Sequence, residues 1–231
     1  LPVPTQVVAR ITTSDSLGAD RVTELTYRDG HWNGVEREFR GFGQAEQREI
    51  GDAHTPTLVS AVTFDVGWED SARKGLVVRK EARETGGKVY RVESSVYEVV
   101  TLATGTDGRL VRAARQSSQE VSVVEGTASP RVLLTEFEWD DYGNPIAKSE
   151  WGEVVAGDPA AGDDERNTVT EYAVNEEDWI LDKMTSRQLR SASGEVLRWQ
   201  RFYYDGADHE GLPLGEVTRG QLKRQEAYLG V

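Results

Sequence analysis

Three histidines, no cysteine and 40 acidic side chains set the chemical vocabulary of this chain. An acid–base or metal site needs such groups to converge. His31 stands between two turn signals, His54 in a polar break, and His209 between Asp208 and Glu210. No two histidines have the H-x-x-x-H spacing that puts two imidazoles on one helix face. All three are therefore expected to be solvent-exposed loop residues. Asp158, Asp163, Asp164 and Glu165 offer the hard oxygens that calcium takes. The alternating D-x-D-x-D-G order of a calcium loop is missing, however, and Pro159, Ala160 and Ala161 supply no ligand. Asp205, Asp208 and Glu210 form a second acidic knot. Both clusters read as solvated loops. Asp140 and Asp141 could act as a carboxylate pair in glycoside hydrolysis. Neighbours on a strand face opposite ways, so a turn role accounts for them better.

Other catalytic patterns are also missing. No serine has a G-x-S-x-G or S-x-x-K context in a strand-to-helix setting. Gly41-Phe42-Gly43 lacks the third glycine and following helix of a dinucleotide site, and there is no phosphate-binding loop. Of six tryptophans, Trp139, Trp151, Trp179 and Trp199 lie on or beside predicted strands. Packing on a core or wall is the commoner fate there than stacking on a sugar ring. No residue is assigned a catalytic, cofactor-binding or metal role. The chain is expected not to be an enzyme and to need no cofactor.

Charge narrows the partners. The 231 residues are 37% hydrophobic and 29% charged, with a net charge of −13. That length suits one large all-β domain or two small ones. Phosphate backbones call for clustered Lys and Arg, so the acidity argues against nucleic acid. It argues equally against an anionic membrane surface. Without cysteine there are no disulfides, thiolate metal sites or cysteine nucleophiles. No stretch approaches the ~20 apolar residues that span a bilayer. Leu1-Pro2-Val3-Pro4 is not the start of a signal peptide. Lacking an initiator Met, the chain is expected to be a fragment of a longer protein.

The elements that must position these residues are strands. Alternation with β-branched residues predicts strands over 6–13, 58–68, 76–84, 88–103, 109–124, 131–139 and 146–154, then 168–174, 179–189 and 195–204. Gly86-Gly87, Gly105 to Gly108, Gly126, Ser193-Gly194 and Asp205-Gly206 punctuate them. Residues 69–75 are a loop or at most one helical turn. Residues 156–167 are small and acidic, an exposed excursion between paired strands. Glu176, Glu177 and Asp178 could open a short helix, but no period of 3.6 continues it. The tail, 220–231, is too short to assign.

Residues 27–43 read YRDGHWNGVEREFRGFG, and the rest of the chain is organised around them. Thr23, Leu25 and Tyr27 alternate with polar neighbours. Asp29-Gly30 carries a hairpin turn signal, and Asn33-Gly34 a second. Val35 to Phe39 alternate again, and Gly41 and Gly43 flank Phe42, as in a strand that bends. Phe39 and Phe42 are expected to be substantially buried, and Gly41 or Gly43 to hold a conformation costly for other residues.

This run resembles the middle region of the B components of insecticidal toxin complexes and is similar to the related virulence-plasmid B proteins. Glu138-Trp139-Asp140-Asp141-Tyr142-Gly143-Asn144 and Phe202-Tyr203-Tyr204-Asp205-Gly206 resemble the tyrosine–aspartate repeats of Rhs-type shells, with Tyr27-Arg28-Asp29-Gly30 a looser copy. In such a repeat the aromatic packs on the sheet, Asp bonds the turn amides, and Gly supplies positive φ. The expected fold is all-β, a mostly antiparallel meander with an aromatic–glycine region over 1–75 and a repeat-like region over 76–231, one continuous structure.

The resemblance implies a non-catalytic segment of a shell that encloses and helps deliver a cytotoxic polypeptide. Its partners would be neighbouring domains of the same protein and a C-component-like toxin polypeptide, without nucleic acid or membrane contact. It would be secreted as part of that complex. The alternatives are a carbohydrate-binding or adhesion β-module, with coplanar exposed Trp, and a hydrolase, with a carboxylate-lined cleft.

Overall fold

The computed structural model describes residues 4–15, 17–18, 20–125, 129–160 and 164–229. Leu1, Pro2 and Val3, the break at Gly126 and the acidic-loop residue Asp163 lie outside them. The chain forms two compact units, Leu1–Val132 and Leu133–Val231. The division expected after Gly75 falls inside the first, where Leu76 pairs with Asp65.

The first unit is one antiparallel sheet in which each strand bonds to the next in sequence: β1 (Arg10–Ser14), β2 (Asp20–Asn33), β3 (Glu38–Glu49), β4 (Leu58–Asp65), β5 (Leu76–Glu84), β6 (Val89–Thr104) and β7 (Leu110–Val123). The second repeats the plan with β8 (Arg131–Trp139), β9 (Pro145–Glu153), β10 (Arg166–Asn175), β11 (Ile180–Ser191), β12 (Val196–Tyr204) and β13 (Leu222–Leu229). Helix among the described residues is one 3-10 turn, Ser71–Arg73, capped by the Asp70 carboxylate. The all-β antiparallel meander read from alternation is the observed fold. The unassigned tail supplies β13, and residues 176–179 make a turn rather than a helix.

One expected corner is not a corner. β2 runs straight through Asp29-Gly30, and the hairpin turns instead after Asn33, whose Oδ1 accepts from the amides of Val35 (3.0 Å) and Glu36 (3.1 Å). Val35 belongs to that turn, and β3 begins at Glu38. Asp-Gly favours positive φ, and Asp29 does adopt it (φ 56°), but inside a paired strand.

A single sheet has two faces and no second layer to hide them. The chain exposes 15167 Å². A compact monomer of 231 residues would expose about 10,400 Å², and even two separate compact bodies of half that size about 12,500 Å². Val59, Ala173, Tyr204 and Val217 are the buried hydrophobics among the described residues. Charge is stabilised where apolar cover is missing. On one face of the first unit, Arg48 and Glu46 of β3 stand in register with Val59 and Ala61 of β4, and these with Arg83 and Glu81 of β5. The small β4 side chains let their long neighbours meet across them. Arg83 reaches Glu46 at 2.7 Å and Glu81 at 3.3 Å, Arg79 reaches Glu81 at 2.9 Å, and Arg48 lies 4.0 Å from Glu46. Val59 is only 1% exposed between Arg48 and Arg83, whose aliphatic stems shield it.

Arg83→Met keeps the stem and removes two ion pairs. It should cost about 1 kcal/mol in dilute buffer, shrinking towards zero in 1 M NaCl, where the screening length is about 3 Å. Urea melts at both salt concentrations measure this. A loss unchanged by salt would assign the effect to packing.

Candidate functional site

Two loop-fastening knots and an aromatic hub dominate the polar architecture. The hub is the β2–β3 hairpin. Tyr27 packs on Phe42 with centroids 5.1 Å apart, and Phe39 meets Phe42 edge-on at 5.3 Å. Both phenylalanines are half-buried, less than expected, because one layer covers only one side of each. Pairing slips from Gly30 with Phe42 to Trp32 with Phe39, so β3 carries one extra residue. This bulge is possible because Gly41 takes φ +97°. Gly43 faces Asp29: a Cβ there would sit 3.2 Å from the Asp29 Cβ.

The bulge turns Arg40 inward. Its side chain is 4% exposed; Nη1 donates to the Gly67 carbonyl and Nη2 to Glu36 Oε2 at 2.7 Å. Glu38 lies 3.8 Å from Arg40 Nε and accepts from Lys74 at 2.6 Å. The Arg40 hydrogen bond and charge hold the Glu36 carboxyl below its ordinary range. One guanidinium thus ties the β2–β3 turn to the loop after β4. On the same loop Trp68 meets His31 edge-on at 5.0 Å. His31 is therefore a half-buried residue of β2, not a loop histidine, because the turn lies beyond it.

Asp205 makes the second knot. The residue is 5% exposed. Oδ2 accepts from the amides of Thr218 and Arg219 at 2.8 Å and Gly220 at 3.1 Å, and Oδ1 from Gln221 at 3.0 Å. Burial by itself would raise its pKa; the four amides outweigh it and hold the carboxyl far below the ordinary range. The expected turn chemistry is present, but the amides come from the far end of the loop that returns to β13. That loop also delivers Val217 to Tyr204 and Ala173, the buried apolar cluster of this unit. In the sister motif, Asp140 does bond its own turn, accepting from Tyr142 (3.0 Å) and Asn144 (2.8 Å).

The remaining candidates stay apart. His54 and His209 are exposed in separate loops. Asp158 bonds the Ala160 amide at 3.0 Å, Asp164 the Glu153 amide at 3.3 Å, and Asp208 pairs with Lys223 at 2.6 Å. Among the described residues no three His, Cys, Asp or Glu side chains gather as metal ligands. Trp139, Trp151 and Trp199 are half-buried on the sheet. Trp151 donates to Glu136 at 2.6 Å, and Trp199 stacks on Tyr228 at 6.0 Å. Trp179 departs from the expectation of wall packing: it ends a turn at φ 55° and is 76% exposed. Sequence reasoning missed Arg40, whose inward aim follows from the bulge, and the loop amides that Asp205 engages.

Asp205→Asn should cost about 3 kcal/mol, since several amides lose a charged acceptor. The parent carboxyl has a lower pKa folded than unfolded, where it is about 3.9. Its contribution is complete above about pH 4 and fades as pH falls below that value. The parent–variant difference in melting should therefore be largest near neutrality and shrink in acid. At the hub, Gly41→Val should cost about 1–2 kcal/mol from backbone strain. Phe39→Ala should cost about 2 kcal/mol, below the ~3–5 of a fully buried phenylalanine. Parent-like melts for both would refute the hub.

Residues 1–68 match the family model described as the insecticide toxin TcdB middle/N-terminal region. No curated protein matches the sequence. The chain is similar to the crystal structure of TcdB2–TccC3–Cdc42, with a TM-score of 0.70 and 18% identity over 90% of this chain and 15% of that one. For TcdB2–TccC3 the TM-score is 0.69 at 18% identity, covering 89% and 15%. For a Photorhabdus luminescens Tc holotoxin pore it is 0.68 at 18%, covering 90% and 15%. At such identity the likeness is one of fold, and the chain spans only 15% of the length of those chains. Residues 1–68 thus carry a sequence signature of the TcdB middle/N-terminal region, and 90% of the chain shares a fold with part of the TcdB2–TccC3 structures.

Proposed function

We propose that this chain is a non-catalytic wall segment of a toxin-complex shell, which encloses and helps deliver a cytotoxic polypeptide. The observation that carries the reading is that the two sheet units together expose 15167 Å², about a fifth more than two compact bodies of half the length. Such a sheet suits a wall: strands lie side by side in sequence order, and neighbours supply the cover a second layer would. The TcdB signature over residues 1–68 and the TcdB2–TccC3 likeness support the same reading. The partners are then neighbouring segments of a longer polypeptide and a C-component-like toxin chain, and the setting is extracellular. Polar groups serve fastening in this reading. Arg40 and Asp205 close loops, and the carboxylates cap turns or pair with cations.

The test is protection of cargo. The natural polypeptide carrying this chain, co-expressed with a C-component-like partner, should shield that partner's toxic segment from added protease. Excising these 231 residues should expose it. Protection that survives the excision would overturn the wall role. Turnover of glycoside, ester or phosphate substrates, abolished by one carboxylate substitution, would overturn the non-catalytic role.

A further inference from the structure

Two buried side-chain oxygens accept no hydrogen bond among the described residues, Oε2 of Glu165 and Oδ1 of Asn167. Both residues line one pocket of about 360 Å³ on the second unit. Buried polar atoms ordinarily find a partner, so two unmet acceptors in one place point to a donor from outside. Strand register builds the pocket. Asn167 of β10 stands opposite Ser149 of β9 and Arg190 of β11, so the three share a face. The Asn167 amide nitrogen donates to Ser149 Oγ at 3.2 Å, which leaves Oδ1 open. Trp151, Ala160 and Ala192 supply apolar lining. The Trp151 N–H already goes to Glu136 at 2.6 Å, so the indole ring is what it offers a ligand.

The cations nearest in sequence and register are turned elsewhere. Nε and Nη2 of Arg190 both donate to Gln188 Oε1, at 3.3 and 2.8 Å, and Arg166 donates to the Glu165 backbone carbonyl at 2.7 Å. Nor do the residues make a metal shell. One carboxylate oxygen and one amide oxygen fall short of the six or more that calcium takes, and among the described residues no three His, Cys, Asp or Glu side chains gather.

We propose that this pocket binds an alkylammonium group, the head of a lysine side chain or of a free amine, with its apolar stem beside Trp151. Glu165 supplies the opposite charge. An ammonium turns its three donors freely and can meet oxygens from two separate residues, whereas a guanidinium fork prefers two coplanar oxygens of one carboxylate. An indole face adds attraction for a cation. Small-molecule pockets run to about 300–1,000 Å³, so this one, near the low end, seats one head and its stem rather than a sugar chain. The site lies within the second unit and does not depend on the wall role.

The probes are n-butylammonium chloride and acetyl-Gly-Lys-Gly-amide, each titrated into the 231-residue chain and followed by the Trp151 indole and Asn167 side-chain amide resonances. Both resonances should shift saturably, and the melting midpoint should rise with probe concentration. The probe that binds tighter identifies the source of the group. Sodium chloride at equal ionic strength, and the norleucine counterpart of the peptide, which keeps the stem and loses the ammonium, should shift neither resonance. Glu165→Gln should weaken butylammonium about tenfold, as expected for loss of a charge-assisted hydrogen bond, and should keep the parent melt without probe. Asn167→Asp should tighten binding by adding a second carboxylate, and Arg190→Gln should leave it unchanged. Absence of a saturable shift with both ammonium probes would mean that water alone fills the pocket, and would overturn the proposal. Equal shifts with sodium or the norleucine peptide would overturn it too. So would weaker binding in Asn167→Asp, the mark of an amide that donates to Glu165, or tighter binding in Arg190→Gln, the mark of a pocket filled by the chain's own guanidinium.

Discussion

A strand hides its side chains only against a second layer, and neither unit of this protein builds one. Everything else in the structure answers that constraint. Backbone hydrogen bonds between sequential strands hold each sheet together, but they bury little apolar surface. Side chains must stabilise one another laterally, across neighbouring strands, as cross-strand pairs do in any sheet. The lattice of Arg48, Glu46, Arg83, Glu81 and Arg79 shows how. Individually such pairs contribute little in water. Linked around shared carboxylates, and with Val59 and Ala61 as their floor, they make a charged surface serve as a cover.

Loops face the same shortage. A long connection finds only a small apolar cluster to fold back on, so it is fastened largely by single buried charges. Arg40 clips the β2–β3 turn to the loop after β4, and Asp205 draws the returning loop onto β13. A buried charge is stabilising only when its hydrogen bonds are supplied. Here backbone groups supply most of them: four amides for Asp205 and a carbonyl for Arg40. That choice makes each clip specific for one loop path, because amides converge on a point only in one backbone conformation.

These features bear on function together. A self-sufficient enzyme domain spends its polar groups on a cleft, and a compact binder spends its aromatics on a platform. Here the carboxylates are spread over strands and turns alike, and Trp139, Trp151 and Trp199 lie half-covered along strands.

The sequence by itself determined the fold class, and did so through periodicity. Strands 76–84 and 131–139 were legible to the residue because alternation is a local property and Gly-rich turns end it. The resemblance of the Tyr27–Gly43 run was legible too, since its aromatic and glycine spacing is contiguous. Asp29-Gly30 was misread because Asp-Gly asks for positive φ without saying whether a turn or a paired strand provides it. Tertiary structure decided what needed partners far along the chain. The amides that clasp Asp205 lie 13 to 16 residues away. The inward aim of Arg40 depends on one extra residue in β3, and His31 and Trp68 meet only because that corner closes. Asn167 shares a face with Ser149 and Arg190 only in one register; a slip of one residue would send it to the opposite face. Alternation says that a residue faces one side of a sheet. Only pairing says which residues share that side with it.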